Sequence, residues 1–118
     1  MRSHAVWLFV LLLSACAISG NRPLAFVTGD GPAYPQGARE QRIEGWVVVE
    51  YTVDANGDVH SPRVVEASPP AVFDQAALDA VAQWRYTPRY VKGEPRETVG
   101  VRSTVTFKLS DGDEYAEY

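Results

Sequence analysis

Trp46-Val47-Val48-Val49-Glu50-Tyr51-Thr52-Val53, followed at once by Asp54-Ala55-Asn56-Gly57-Asp58, decides how this chain folds. The first run has the period of two of a half-buried strand. Val47, Val49, Tyr51 and Val53 share one face, and Trp46, Val48, Glu50 and Thr52 share the other. The second run is turn chemistry, because Asn-Gly supplies positive φ without steric cost. A strand that ends in such a turn returns on itself, so residues 59–67 are expected to form the second arm of a hairpin. Pro62 cannot donate to a strand ladder, which makes this arm an edge or gives it a bulge. Val59 and Val64 lie an odd number of positions apart, so both can face inward only across a bulge.

Outward from the hairpin, Ser68-Pro69-Pro70 breaks the chain. Phe73, Ala76, Ala77, Ala80, Val81 and Trp84 then recur at helical spacing, the cleanest such stripe in the sequence. Asp74 near its start and Arg85 near its end suit the helix dipole, and Pro88 stops any continuation. Lys92-Gly93-Glu94-Pro95 reads as a loop. Val99, Val101, Ser103, Val105, Phe107 and Leu109 alternate with more polar residues, which predicts a long half-buried strand. On the N-terminal side, Tyr34-Pro35 opens a short polar run to Ile43, a short helix with Ala38 turned inward that Gly45 ends. The order is short helix, strand, strand, helix, strand. It implies an α+β fold: a three-stranded antiparallel sheet with two helices on one face.

The chain has 118 residues, 46% hydrophobic and 22% charged, and a formal net charge of −4. One domain is expected at this length, and a cationic nucleic-acid surface is not. Cys16 is the one cysteine, so no disulfide or CxxC motif can form within a chain. The N-terminus runs from Arg2 through the apolar stretch 5–13 to Ser14-Ala15-Cys16, the layout of a secretory signal over residues 1–15. Leu13-Ser14-Ala15-Cys16 resembles the bacterial lipobox. The resemblance implies acylation of Cys16, a lipid anchor, and, with Ala17 following, the periplasmic side of the outer membrane, with an inner-membrane anchor as the alternative. Residues 16–33, rich in Gly and Pro, read as a tether that reaches at most ~50 Å beyond the anchor. Residues 110–118 read as an acidic flexible tail.

Little in the chain suggests catalysis. Asp54, Asn56 and Asp58 lack the glycine and glutamate positions of a calcium loop and read as a hairpin turn. His60 and Ser61 have no third partner for a triad, and no glycine-rich phosphate loop is present. The chain reads as a non-enzyme with no cofactor and no metal. Its asset is the last strand. In a three-stranded sheet two strands are edges, and a long edge has free N–H and C=O groups that can accept an extended segment. The alternative is that the tail or the Tyr90 segment covers it.

Tyr34-Pro35, Ile43-Glu44-Gly45, Val47-Val48-Val49, Val53-Asp54-Ala55-Asn56-Gly57-Asp58-Val59, Ala76-Ala77-Leu78, Trp84-Arg85-Tyr86-Thr87-Pro88, Gly93 and Val105-Thr106-Phe107 together resemble the C-terminal domain of TonB over residues 34–109. The resemblance implies a periplasmic domain that binds a short segment of an outer-membrane TonB-dependent receptor as an added strand. By position, the partner-binding strand would be Val99, Val101, Arg102, Ser103, Thr104, Val105, Thr106, Phe107, Lys108 and Leu109. The alternatives are an outer-membrane lipoprotein scaffold that binds another envelope protein without transducing energy, or a module that dimerises through the same edge.

Overall fold

The computed structural model describes residues 20–109 and the backbone of residues 114–117. In chain order the elements are β1 (Ala25–Thr28), α1 (Gln36–Glu40), β2 (Gly45–Val53), β3 (Val59–Ser68), α2 (Asp74–Val81), β4 (Arg85–Thr87), β5 (Arg89–Val91), β6 (Glu94–Arg96), β7 (Thr98–Leu109) and β8 (Glu114–Glu117). Strands β3, β2 and β7 form a three-stranded antiparallel sheet, with β8 added beyond β7. The expected α+β architecture is therefore present, with one more strand at its outer edge.

The alternation in β2 does what its period requires. Val47, Val49, Tyr51 and Val53 are buried, and with Val105 and Phe107 of β7 they make one apolar face. Both helices close over that face: Ala38 of α1 and Ala77 and Val81 of α2 belong to the same core. Fully burying a valine or phenylalanine side chain contributes about 1.5–3 kcal/mol, so this layer holds the fold. Phe73 enters the core just before α2, and Trp84 just after it. The helix is shorter than the stripe predicts. Beyond Val81 the chain continues in tight turns, with Trp84 N–H donating to Val81 O at 3.1 Å, which keeps the indole on the same side. Arg85 consequently lies in β4 and not at the helix end, and it pairs with Asp58.

The hairpin turn is built by Asp54. Its carboxylate accepts from the N–H groups of Asn56 at 2.8 Å and Asp58 at 2.9 Å. Gly57 has φ +91°, and a Cβ there would sit 1.9 Å from the Tyr86 carbonyl oxygen, so only glycine fits between this turn and β4. In β3 the register slips twice, once at Val65 and once around Ser61 and Pro62, where Ser61 has φ 53°. These are bulges of the kind Pro62 and the odd Val59–Val64 spacing require, and both valines do pack against the core.

Three stretches differ from their sequence reading. Residues 20–33, expected to be part of a free tether, lie along the domain. β1 pairs with β4, Arg22 exchanges two backbone hydrogen bonds with Tyr90, and Trp84 Nε1 donates to Asp30 O at 3.3 Å. Their large apolar residues, Leu24, Phe26 and Val27, are too few to show a period, yet Leu24 and Phe26 find ready partners. Residues 92–95 are not a plain loop. β5 and β6 form a hairpin with Lys92 (φ 52°) and Gly93 (φ 80°) as its two-residue tip. The acidic tail carries β8, whose backbone pairs with residues 106–109 of β7.

Candidate functional site

Strand β7 carries every residue of the expected partner-binding strand, and its two halves are in different situations. On one side it pairs with β2 along nearly its whole length. On the other side, Thr106, Phe107, Lys108 and Leu109 pair with β8. Among the described residues no strand pairs with the outer side of residues 98–105. The open edge is thus shorter than the strand and lies in its N-terminal part.

The side chains along this edge have distinct surroundings. Val105 and Phe107 are buried in the core, and Val101 packs against it. Ser103 Oγ lies 2.7 Å from the Tyr51 hydroxyl, which also contacts the Tyr86 hydroxyl. Burial pushes the Tyr51 hydroxyl well above the usual phenol range. Val99 does not share the apolar face that its spacing implies. Between Val53↔Thr98 and Tyr51↔Val101, β7 holds one residue more than β2, and Gly100 there has φ 73°. This bulge turns Val99 out of phase and leaves it 71% exposed.

Arg102, on the face opposite the helices, donates through Nε to Glu50 at 2.8 Å. Arg63 of β3 reaches the other carboxylate oxygen of Glu50 at 2.5 Å. The Arg102 hydrogen bond, then that of Arg63, holds the Glu50 carboxyl below the usual carboxylate range. This bridge spans all three strands on the exposed face of the sheet. At the turn, partial desolvation of Asp54 raises its pKa, but the His60 hydrogen bond at 2.6 Å and the turn N–H groups outweigh it. The net direction is downward.

A shallow groove of about 320 Å³ runs beside the open edge, lined by Phe26, Trp84, Tyr86, Ser103 and Thr104. Ser103 and Thr104 belong to the part of β7 whose outer side has no strand partner among the described residues. Phe26 makes edge-to-face contacts with Trp84 at 5.3 Å and Tyr86 at 5.5 Å between ring centroids, and it is 44% exposed. The arrangement offers unpaired main-chain groups next to an aromatic floor, which suits capture of an extended peptide. It offers no paired acid and base, and among the described residues no cluster of ligands that could hold a metal.

Sequence reasoning missed Phe26. Its signal was the apolar pair Phe26-Val27 inside a Gly- and Pro-rich segment, which a tether has no use for. Cys16, the expected lipidation site, lies outside the described residues. Among the described residues no helix is long and apolar enough to cross a membrane.

Comparison with known proteins gives a consistent answer. The family model described as the Gram-negative bacterial TonB protein C-terminal matches residues 30–109. The chain is 38% identical to Protein TonB of Vibrio cholerae over 64 residues, which are 54% of this chain and 26% of that protein. It is 33% identical to Protein TonB of Escherichia coli over 92 residues, 78% of this chain and 35% of that protein. The solution NMR structure of the Pseudomonas aeruginosa TonB C-terminal domain matches with a TM-score of 0.60 at 31% identity, covering 75% of this chain and 88% of that one. The chain spans about a quarter to a third of the length of these curated relatives.

Proposed function

Because this chain belongs to the TonB C-terminal family, we propose that it is a protein-binding module that takes part in TonB-dependent transport across the outer membrane, accepting a receptor segment as a strand added to the outer edge of β7. The observation that carries this reading is the open edge at residues 98–105 with the Phe26–Trp84–Tyr86 groove beside it. An added strand would satisfy the free N–H and C=O groups of β7, and alternate side chains would rest on the aromatic floor. The β8 pairing at Thr106 sets where such a segment would have to stop.

The reading is tested by NMR titration with a peptide carrying the receptor segment known as the TonB box. Shifts should concentrate at Val101, Arg102, Ser103, Thr104 and Val105, with none along β3. The same peptide N-methylated at alternate residues should not bind. Absence of shifts along the β7 edge would sink the proposal.

We propose also that Cys16 is acylated and that the module sits on the periplasmic side of the outer membrane. The support is the position of Cys16 after a nine-residue apolar stretch. Mass spectrometry of the mature N-terminus decides it: a diacyl or triacyl cysteine agrees, and an uncleaved or unmodified terminus does not.

A further inference from the structure

The β5–β6 hairpin carries charge that the fold does not use. Arg89 and Arg96 stand directly opposite each other across the two strands, so their side chains share one face. Like charges so placed repel unless an anion lies between them. Arg96 has a partner in Glu94 at 3.3 Å. Among the described residues the side chains of Arg89, Arg22 and Lys92 have no ion pair. Lys92 sits at the hairpin tip, and Arg22 lies beside β5, bonded backbone to backbone with Tyr90. All four cations are exposed. Stretches 20–23 and 89–97 together hold these four cations and two carboxylates, Glu94 and Glu97, in a chain whose net charge is −4. The nearby turn adds no free acid, because Asp54 is bonded to His60 and Asp58 to Arg85.

The same end of the domain is where the chain comes in. Gly20 O accepts from Gly93 N–H at 2.7 Å, and Asn21 Oδ1 accepts from Lys92 N–H at 2.8 Å. Residues 20–33 are laid against the domain, so they add no reach. In the acylated form proposed above, the anchor at Cys16 is joined to Gly20 by three residues, so the two Cα atoms lie at most ~15 Å apart. That anchor keeps the hairpin tip within about two nanometres of the membrane surface. The acidic stretch 111–117, with four carboxylates and no cation, follows the far end of β7, some 35–40 Å away along a twelve-residue strand. The basic hairpin is therefore the part of the domain that lies next to the Cys16 anchor.

We propose that the β5–β6 hairpin, with Arg22, Arg89, Lys92 and Arg96, is a membrane-contacting surface that takes the phosphates of anionic lipid headgroups. Contact there stands the domain on its basic end. It places the start of the open β7 edge, at Thr98, next to the bilayer. This goes beyond the receptor-segment reading and does not depend on it.

The test uses the full chain bound to bicelles that carry a paramagnetic headgroup lipid. One set is phosphatidylcholine alone, and the other includes phosphatidylglycerol. With the anionic lipid, amide signals of residues 89–96 should broaden selectively, while those of Trp46 and Lys108 at the other end of the sheet should not. Each cation near an anionic surface adds a roughly fivefold preference, so Arg89→Gln with Arg96→Gln should cut the broadening about tenfold or more. High salt should cut it similarly. Equal broadening with neutral lipid, broadening at the Trp46 end, or none at either end overturns the proposal. So does a hairpin response that inorganic phosphate alone reproduces without lipid broadening. If the double variant loses its β2–β7 amide pattern, the lipid-composition and salt arms on the native chain decide. Peptide titration of the β7 edge reads a different set of amides, so failure of one proposal leaves the other standing.

Discussion

Two aromatic clusters brace the sheet, and they are built differently. At one end Tyr34, Phe73 and Phe107 close the core. Phe73 and Phe107 stack at 4.3 Å, and Tyr34 meets both edge-on at 5.6 and 5.7 Å. The Tyr34 hydroxyl donates to Ile43 O, which ties in the chain after α1. At the other end Phe26, Trp84, Tyr86 and Tyr51 meet at 5.3–6.4 Å, with Phe26 nearly half exposed and two hydroxyls in the contact. In the first cluster Phe73 and Phe107 are fully buried. The second borders the groove and the open edge of β7. A closed cluster holds helices to a sheet, whereas a half-open one holds a surface in shape for something else to occupy.

The largest expected effect tests the closed cluster. Phe73→Ala removes a fully buried ring that touches both Phe107 and Tyr34 and leaves a cavity there. Unfolding free energy from urea melts should fall by about 3–5 kcal/mol. A loss under 1 kcal/mol would mean that the stacked rings do not hold the helices.

The next effect reads mainly in binding. Phe26→Ala should leave the domain folded, with a stability loss of about 1 kcal/mol for a ring already part exposed. It should weaken the receptor-segment peptide by about tenfold, since a well-placed interface aromatic is worth more than about 1 kcal/mol. Equal destabilisation by Phe26→Ala and Phe73→Ala would erase the distinction between the clusters.

The two clusters also differ in how far the sequence announces them. Phe73, Trp84 and Phe107 sit on strong local periods, and the β2 alternation with its Asn-Gly turn leaves one way to pair the strands. The core face and the two helices follow from those residues. Phe26 has no period around it, and its partners Trp84 and Tyr86 lie some sixty residues away. Its docking is a long-range packing event that local patterns do not encode. Val99 fails for a different reason. Alternation counts positions, and the extra residue at Gly100 shifts the count. Along β7 the expected binding strand was legible as a strand, but where β8 ends its open edge was not. The pairing of residues 114–117 depends on backbone geometry, in a stretch whose composition argues for solvent.

The smallest effect probes the link between the half-open cluster and β7. Tyr51 bonds Ser103 of β7 on one side and Tyr86 of β4 on the other. Tyr51→Phe keeps the ring and removes both bonds, which should cost about 1 kcal/mol at neutral pH. The hydroxyl's pKa is raised in the folded protein, chiefly by burial. Its contribution is therefore fully present below the unfolded tyrosine value of about 10 and is lost as pH rises above it, because the unfolded chain ionises first. Phenylalanine has nothing to ionise. Urea melts of both proteins should show the gap at pH 7, a shrinking gap above about pH 10, and a variant as stable as the parent or more so beyond that. A gap that stays constant across this range would mean that the Tyr51 hydroxyl is no more buried than a surface phenol, and that the aromatic floor is not anchored to the strand it borders.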